Sequence, residues 1–261
     1  MNARWMTSIA GAVTLAILLP AHTPVGAQGR GGRGRGQAPA QPAGPAPRLA
    51  NGMPDLSGVW MGGGGVGERD LKPGDAIVLL PDAKKLVDTR QLKDDPEAHC
   101  LPTGVPRMNP YPWRMVQSID QKYIFVLFEG NIHSYRQIFL DGRKHPPDPN
   151  PTWYGDSIGR WEGDTLVVDS VGFNDKFWFD FAGHPHTEKL HVIERYRRPD
   201  ADHLDYDTTI DDPGAYTRPF IMHGHSTAQY NDELMEYICN ENNQDVAHIV
   251  GKDPRNKYSK Q

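Results

Sequence analysis

Short runs in which apolar and polar positions alternate with a period of two dominate the chain. The clearest is Gly155–Phe173, GDSIGRWEGDTLVVDSVGF. Arg160, Trp161 and Glu162 lead into Gly163-Asp164, and Thr165 to Val171 lead out, rich in β-branched residues. A Gly-Asp pair between two extended runs signals a hairpin, because Gly supplies the positive φ that a tight turn needs. Pro54–Met61, Arg114–Ile119 and Asn131–Leu140 read as further strands. Tyr123–Glu129, YIFVLFE, is apolar on both faces and is expected at the centre of a sheet. Glu188–Arg197 and His203–Ile210 form a pair around Pro199-Asp200, and Phe220–His225 with Glu233–Asn240 reads as a last pair. Only Pro81–Leu92 carries helix signals, with Pro and Asp at its start and Leu86 and Val87 among charges. Roughly eight to ten strands with turns about every 8–12 residues predict an all-β fold. Its form is an antiparallel β-barrel, or a sandwich, with one short helix.

The N-terminal part does not share this pattern. Arg4 precedes the apolar run Ile9–Leu19, and Val25-Gly26-Ala27 fits a small-x-small cleavage site. Met1 to Ala27 therefore reads as a secretory signal peptide cut before Gln28, with an uncleaved anchor as the alternative. Residues 28–48 are built from Gly, Arg, Ala, Pro and Gln, which bury little apolar surface, and read as a disordered linker. Residues 49–261 form a single β-rich domain, long enough for a substantial core. The net charge of −5 gives no reason to expect a nucleic-acid partner. After signal removal no segment is apolar enough to be a transmembrane helix. The expected location is secreted or periplasmic.

The chain has two cysteines, Cys100 and Cys239. In an exported protein an even pair reads as one disulfide; two separate buried thiols are the alternative. A thiol catalyst or a thiolate-bound metal would need partner residues at close spacing, and none are present.

Strand parity singles out the charged residues that face inward. Glu129 shares parity with Tyr123, Phe125 and Leu127, and Arg136 with Ile138 and Leu140. If both face the core they form a ligand-orienting Glu–Arg pair; otherwise they hold strands in register at a rim. Glu194 shares its side with Leu190 and Val192, so burial there would raise its pKa, as a general acid needs. In DGRKH, Asp141, Arg143 and His145 alternate, Arg143 as a candidate for a carboxylate ligand and His145 as an acid or base. The same residues also suit a solvated turn. His184, His186 and Glu188, in HPHTE, are a possible metal ligand set. Local hydrogen bonding at a strand start is the plainer account, and no cofactor is otherwise implied. His223 and His225 repeat the HxH form. Trp161, Trp153, Trp178, Phe177 and Phe179 suit a pocket wall or a core. Ser157, in DSIG, lacks the nucleophile-elbow context.

Gly58-x-Trp60 is similar to the first-strand motif of lipocalins and related calycins, and that likeness favours a barrel over a sandwich. PDLSGVW, CLPTGVPR, DGRKHP, SIGRWEGDTLVVDSVGF, HTEKLHVIERYRR and YICNEN, in that order, resemble a family of secreted bacterial proteins. The resemblance spans Asn51 to Asn242 and implies an architecture and recurrent polar positions, not a reaction. Among those positions are Cys100, Arg107, Arg143, His145, Trp161, His186, Glu188, Glu194 and Cys239.

Together these features imply an exported barrel that binds a small molecule through Arg107, Glu129, Arg136, Arg143, Trp161 and Glu188. The alternative is a lyase, isomerase or hydrolase acting on a small plant- or sugar-derived molecule, with His145, His186 and Glu194 as acid and base. Arg107, Glu129, Arg136, His145, His186 and Glu194 are expected to converge on one cavity.

Overall fold

A computed structural model describes residues 43–63, 67–107, 111–130 and 134–241. The expected signal segment and most of the expected linker lie outside them. The strands are β1 (Gly58–Met61), β2 (Trp113–Gln117), β3 (Tyr123–Phe128), β4 (Tyr135–Phe139), β5 (Asp156–Glu162), β6 (Thr165–Val171), β7 (His191–Arg197), β8 (His203–Asp211) and β9 (Phe220–Ala228). They close in sequence order into one barrel, with β9 pairing to β1. Among the described residues one α-helix, α1 (Pro81–Thr89), lies in the long β1–β2 connection.

The barrel is mixed, not wholly antiparallel. An odd number of strands cannot close with every neighbour antiparallel, so one pair must run the same way. That pair is β4–β5, with Ile138 opposite Ser157. A parallel neighbour needs a connection that returns along the barrel, and residues 140–155 make it. The strand directions then sort the other connections between two ends. At one end lie the short turns 118–122, 163–164 and 198–202. At the other lie 62–112, 129–134, 172–190 and 212–219, called here the long-loop end. The β5–β6 turn follows expectation: Gly163, its first residue, takes φ +61°, the position at which a II′ turn needs it.

The interior follows alternation. Ile124, Val126 and Phe128 are buried on β3, Leu166, Val168 and Ser170 on β6, and Leu204, Tyr206, Thr208 and Ile210 on β8. Glu129 belongs to the other face of its strand, with Tyr123, Phe125 and Leu127, which are only partly buried. The inward parity assigned to it is thus corrected: an apolar run on both faces carries no parity signal. Arg136 and Glu194 do face inward, each 1% exposed. Glycine is required where Gly224 faces Tyr206 across β8 and β9, since a Cβ there would sit 1.9 Å from the ring.

Two further expectations are corrected. Glu233–Asn240 is not a strand; β9 pairs with β8 and β1 instead. Residues 43–48, expected as linker, lie along the barrel. Ala201 N–H donates to the Gly44 carbonyl at 2.8 Å, and Arg48 pairs with Asp164 at 2.6 Å. Cys100 and Cys239 are bonded, with Cα atoms 5.5 Å apart across a sequence separation of 139. The bond ties the chain after β9 to the β1–β2 connection.

Closing a loop of that length restricts the unfolded chain by up to ~5 kcal/mol on the chain-entropy model. The Cys100→Ala/Cys239→Ala variant is expected to lose about 2–5 kcal/mol, read from urea midpoints; an unchanged midpoint would show the link to be dispensable. Gly224→Ala should cost about 1–3 kcal/mol by overpacking against Tyr206, and a variant melting with the parent would contradict that close approach.

Candidate functional site

The barrel interior holds one polar layer. Alternation and register assemble it: Ser157 faces Ser170 across β5 and β6, Glu194 faces Thr208 across β7 and β8, and Arg136 extends from β4. Arg136 donates from Nε to Ser157 Oγ at 3.0 Å and from Nη2 to Ser170 Oγ at 2.7 Å. Its Nη2 also lies 2.6 Å from Glu194 Oε2. Tyr196 donates its hydroxyl to Glu194 Oε1 at 2.7 Å. Burial works against the Arg136 cation, but the Glu194 carboxylate and Tyr196 outweigh it and raise its pKa above the ordinary value. Burial first, and then the Glu194 charge, raise the Tyr196 phenol well above its own, so it remains a donor.

The layer is not saturated. Arg136 Nη1, Trp113 Nε1 and Thr208 Oγ1 are buried without a hydrogen-bond partner, and Glu194 Oε2 meets Arg136 at ion-pair distance without an aligned bond. Trp113 lies beside Tyr196, with ring centroids 6.4 Å apart.

The long-loop end closes over the barrel. His186, in the 172–190 connection, packs against Phe177 with centroids 3.9 Å apart and the rings tilted by 39°. Phe177 in turn contacts Phe173 and Trp153. His186 Nδ1 lies 3.3 Å from the Thr187 carbonyl, which only accepts, so Nδ1 carries the proton and Nε2 the lone pair. Nε2 is buried without a partner. Burial, against weaker pulls from Thr187 and Asp212, lowers this imidazole to about 4. Asp212 binds Thr187 N and Oγ1 at 2.5 and 2.7 Å, and Tyr216 OH reaches the Pro185 carbonyl at 2.6 Å, which joins this connection to 212–219.

The remaining expected site residues stand elsewhere. Arg107 is buried and bidentate to Asp95 at 2.9 and 2.6 Å, bonds Glu97 at 2.7 Å, and lies over the Phe181 ring. It fastens the β1–β2 connection. His145 lies on the outer wall, with Nδ1 2.6 Å from Asp156 and Nε2 3.3 Å from Asp169; His191 shares Asp169 at 2.8 Å. Arg143 grips Asp141 at 2.6 Å and covers Phe139, a turn fixture. Trp161 lies beside the Gly163 turn at the short-turn end, and Glu188 is exposed. Glu129 accepts from Met235 N at 2.8 Å and lines a cavity of 220 Å³ beside the disulfide. Arg136 and Glu194 therefore meet, while no hydrogen bond or ion pair among the described residues joins Arg107, Glu129, His145 or His186 to them. The expected Glu129–Arg136 pair is replaced by Glu194–Arg136.

His184, His186 and Glu188 do not assemble as ligands. His184 Nδ1 is 2.5 Å from Asp180, His186 lies on Phe177, and Glu188 points outward. Among the described residues no group of three His, Cys, Asp or Glu side chains is placed to hold a metal. None of the described helices is long and apolar enough to cross a membrane.

Residue-by-residue reading missed Ser170, Tyr196, Thr208 and Trp113. The signal was present for three: Ser170 follows Leu166 and Val168 on one parity, Tyr196 follows Glu194, and Thr208 lies between Tyr206 and Ile210. A polar side chain on an apolar parity marks an interior polar layer. No family model, curated protein or solved structure matches the chain.

The His186 imidazole gives a pH prediction. Its folded value of about 4 lies below the unfolded 6.5, so the unfolded chain takes up the proton first as pH falls. The stability involved is complete above about pH 6.5 and declines toward pH 4 by roughly 3 kcal/mol. Urea midpoints measured across this range should fall less steeply for His186→Gln than for the parent. Equal slopes would assign the acid limb to carboxylates.

Proposed function

We propose that the protein is an exported β-barrel that binds a small, partly apolar molecule, whose polar end meets the Arg136–Glu194 pair. One observation carries the reading: an interior ion pair, 1% exposed on each side, with Arg136 Nη1 unpartnered beside it. Buried polar groups in native proteins are nearly always satisfied. A ligand oxygen supplies the acceptor that Nη1 lacks. Because the two charges of the pair cancel, a neutral oxygen-bearing ligand fits better than an ion. Trp113, Tyr196 and Phe128 belong to the apolar cluster packed inside the barrel. Export is supported by the signal-like segment Met1–Ala27 and by the bonded cysteines, which favour an oxidising compartment.

A second reading is acid–base catalysis on such a ligand, as a lyase, isomerase or hydrolase. The observation in its favour is His186, a neutral imidazole with a bare, buried Nε2. Turnover lost in His186→Gln with ligand retention unchanged would favour catalysis over binding alone.

The binding reading is tested by native mass spectrometry of protein taken from the exported fraction. The expected result is a bound small molecule that is released on denaturation. The double variant Arg136→Met/Glu194→Leu replaces the pair with apolar groups of similar size, a change that often leaves stability unchanged or raised. It should fold and lack the molecule. A parent protein that carries nothing, with a water on Arg136 Nη1 in a crystal structure, would sink the reading.

A further inference from the structure

We propose that the cavity beside the Cys100–Cys239 bond binds a small organic cation of the alkylammonium class. This site is separate from the interior layer, and its argument does not depend on that layer. The cavity measures 220 Å³ and is lined by Glu97, Glu129, Tyr111, Tyr237, Leu101 and Cys239. Pockets for drug-sized ligands run to ~300–1,000 Å³, so this one suits a molecule of few heavy atoms.

Charge and surface together select the ligand. Arg107 serves two carboxylates at once, Asp95 and Glu97. Tyr111 donates its hydroxyl to the other Glu97 oxygen at 2.9 Å. Burial and the neighbouring Glu97 charge raise the Tyr111 phenol, which keeps it neutral. Among the described residues, the Glu129 carboxylate has the Met235 N–H as its hydrogen-bond partner, at 2.8 Å, and no cationic side chain at ion-pair distance. Among the described residues the cavity lining carries two carboxylates, Glu97 and Glu129, and no cationic side chain, so it disfavours anions. The walls are otherwise apolar or aromatic: Tyr111, Tyr237 and Leu101 are 39%, 47% and 44% exposed. Two tyrosine rings with an uncompensated carboxylate are the chemistry that holds an alkylated ammonium, through cation–π attraction and charge. A neutral molecule of the same shape gains the apolar contact alone.

The walls are fixed independently of any ligand. Gly130 packs its bare Cα against the Tyr111 ring, where an added Cβ would lie 2.9 Å away. The disulfide holds the segment of Tyr237 against that of Leu101.

The test is isothermal titration of the full protein with choline and with its neutral carbon isostere, 3,3-dimethyl-1-butanol. Choline is expected to bind, and the isostere about tenfold more weakly or not at all. Glu129→Gln keeps an acceptor for Met235 N–H while removing the charge, and should weaken choline by about tenfold at an unchanged melting temperature. Tyr237→Leu, which keeps bulk but removes the ring, should weaken it as well. Equal binding of the isostere, full choline affinity in Glu129→Gln, or no heat at millimolar choline would each overturn the proposal. The two sites are told apart by crossing the variants. Arg136→Met/Glu194→Leu should leave choline binding intact, and Glu129→Gln should leave any interior ligand in place.

Discussion

Closure of nine strands is the constraint on which the arrangement depends. Because the count is odd, one pair must run in the same direction; that pair is β4 and β5, and the chain travels the length of the barrel between them. That return path brings His145 onto the outer wall, against Asp156 and Asp169. It also puts the remaining long connections at one end and the short turns at the other. The short-turn end is pinned by local contacts. Arg198 lies over the Trp60 ring at 4.8 Å and donates to the Asp55 carbonyl at 2.6 Å, and Arg48 holds Asp164. The long-loop end has the material for recognition: a buried imidazole, an aromatic cluster and the disulfide.

Inside the barrel, an ion pair stands where apolar side chains would pack at lower cost. Removing charges from water costs several kcal/mol per ion, and attraction offsets this only if the remaining donors and acceptors are met. Ser157, Ser170 and Tyr196 meet most of them, which is why these polar residues occupy inward positions on three different strands. The donors left over are what the proposed ligand would meet; Leu or Val at every inward position would leave none. Arg107 shows the contrasting case. It is as buried as Arg136, but two carboxylates of its own connection and the Phe181 ring of the 172–190 connection surround it, and it ties these two connections together.

Much of the fold was legible in the sequence because half-buried strands alternate. The hairpin of β5 and β6, and the inward positions of Arg136 and Glu194, follow from parity against apolar neighbours. Where both faces of a strand are apolar, parity is silent, and Glu129 was placed on the wrong side for that reason. Glu233–Asn240 carries apolar residues suited to a strand, but β9 already has β8 and β1 as neighbours, so no edge is left for it to join. The partnership of Arg136 with Glu194 was not legible, because it spans three strand pairings and depends on barrel diameter. The clustering of His186 with Phe177 was hidden in a connection without regular period.

The HxH doublets show how strand geometry settles a chemical question that spacing leaves open. His223 and His225 lie two residues apart on β9 and so face the same way, as a metal pair must. Across from them on β8 stand Asp207 and Asp205, in register with each. The imidazoles bond these carboxylates at 2.9 Å apiece, and Lys72 takes a share of Asp207. The doublet is thus half of a ladder of exposed cross-strand pairs, each contributing a fraction of a kcal/mol. The 184–186 doublet lies in a connection, where its two rings diverge, one to Asp180 and one to Phe177. Identical spacing therefore yields a solvated ladder on a strand and two separate buried contacts in a loop. In the loop, His186 Nε2 is buried without a hydrogen-bond partner, whereas the strand imidazoles stand in solvent.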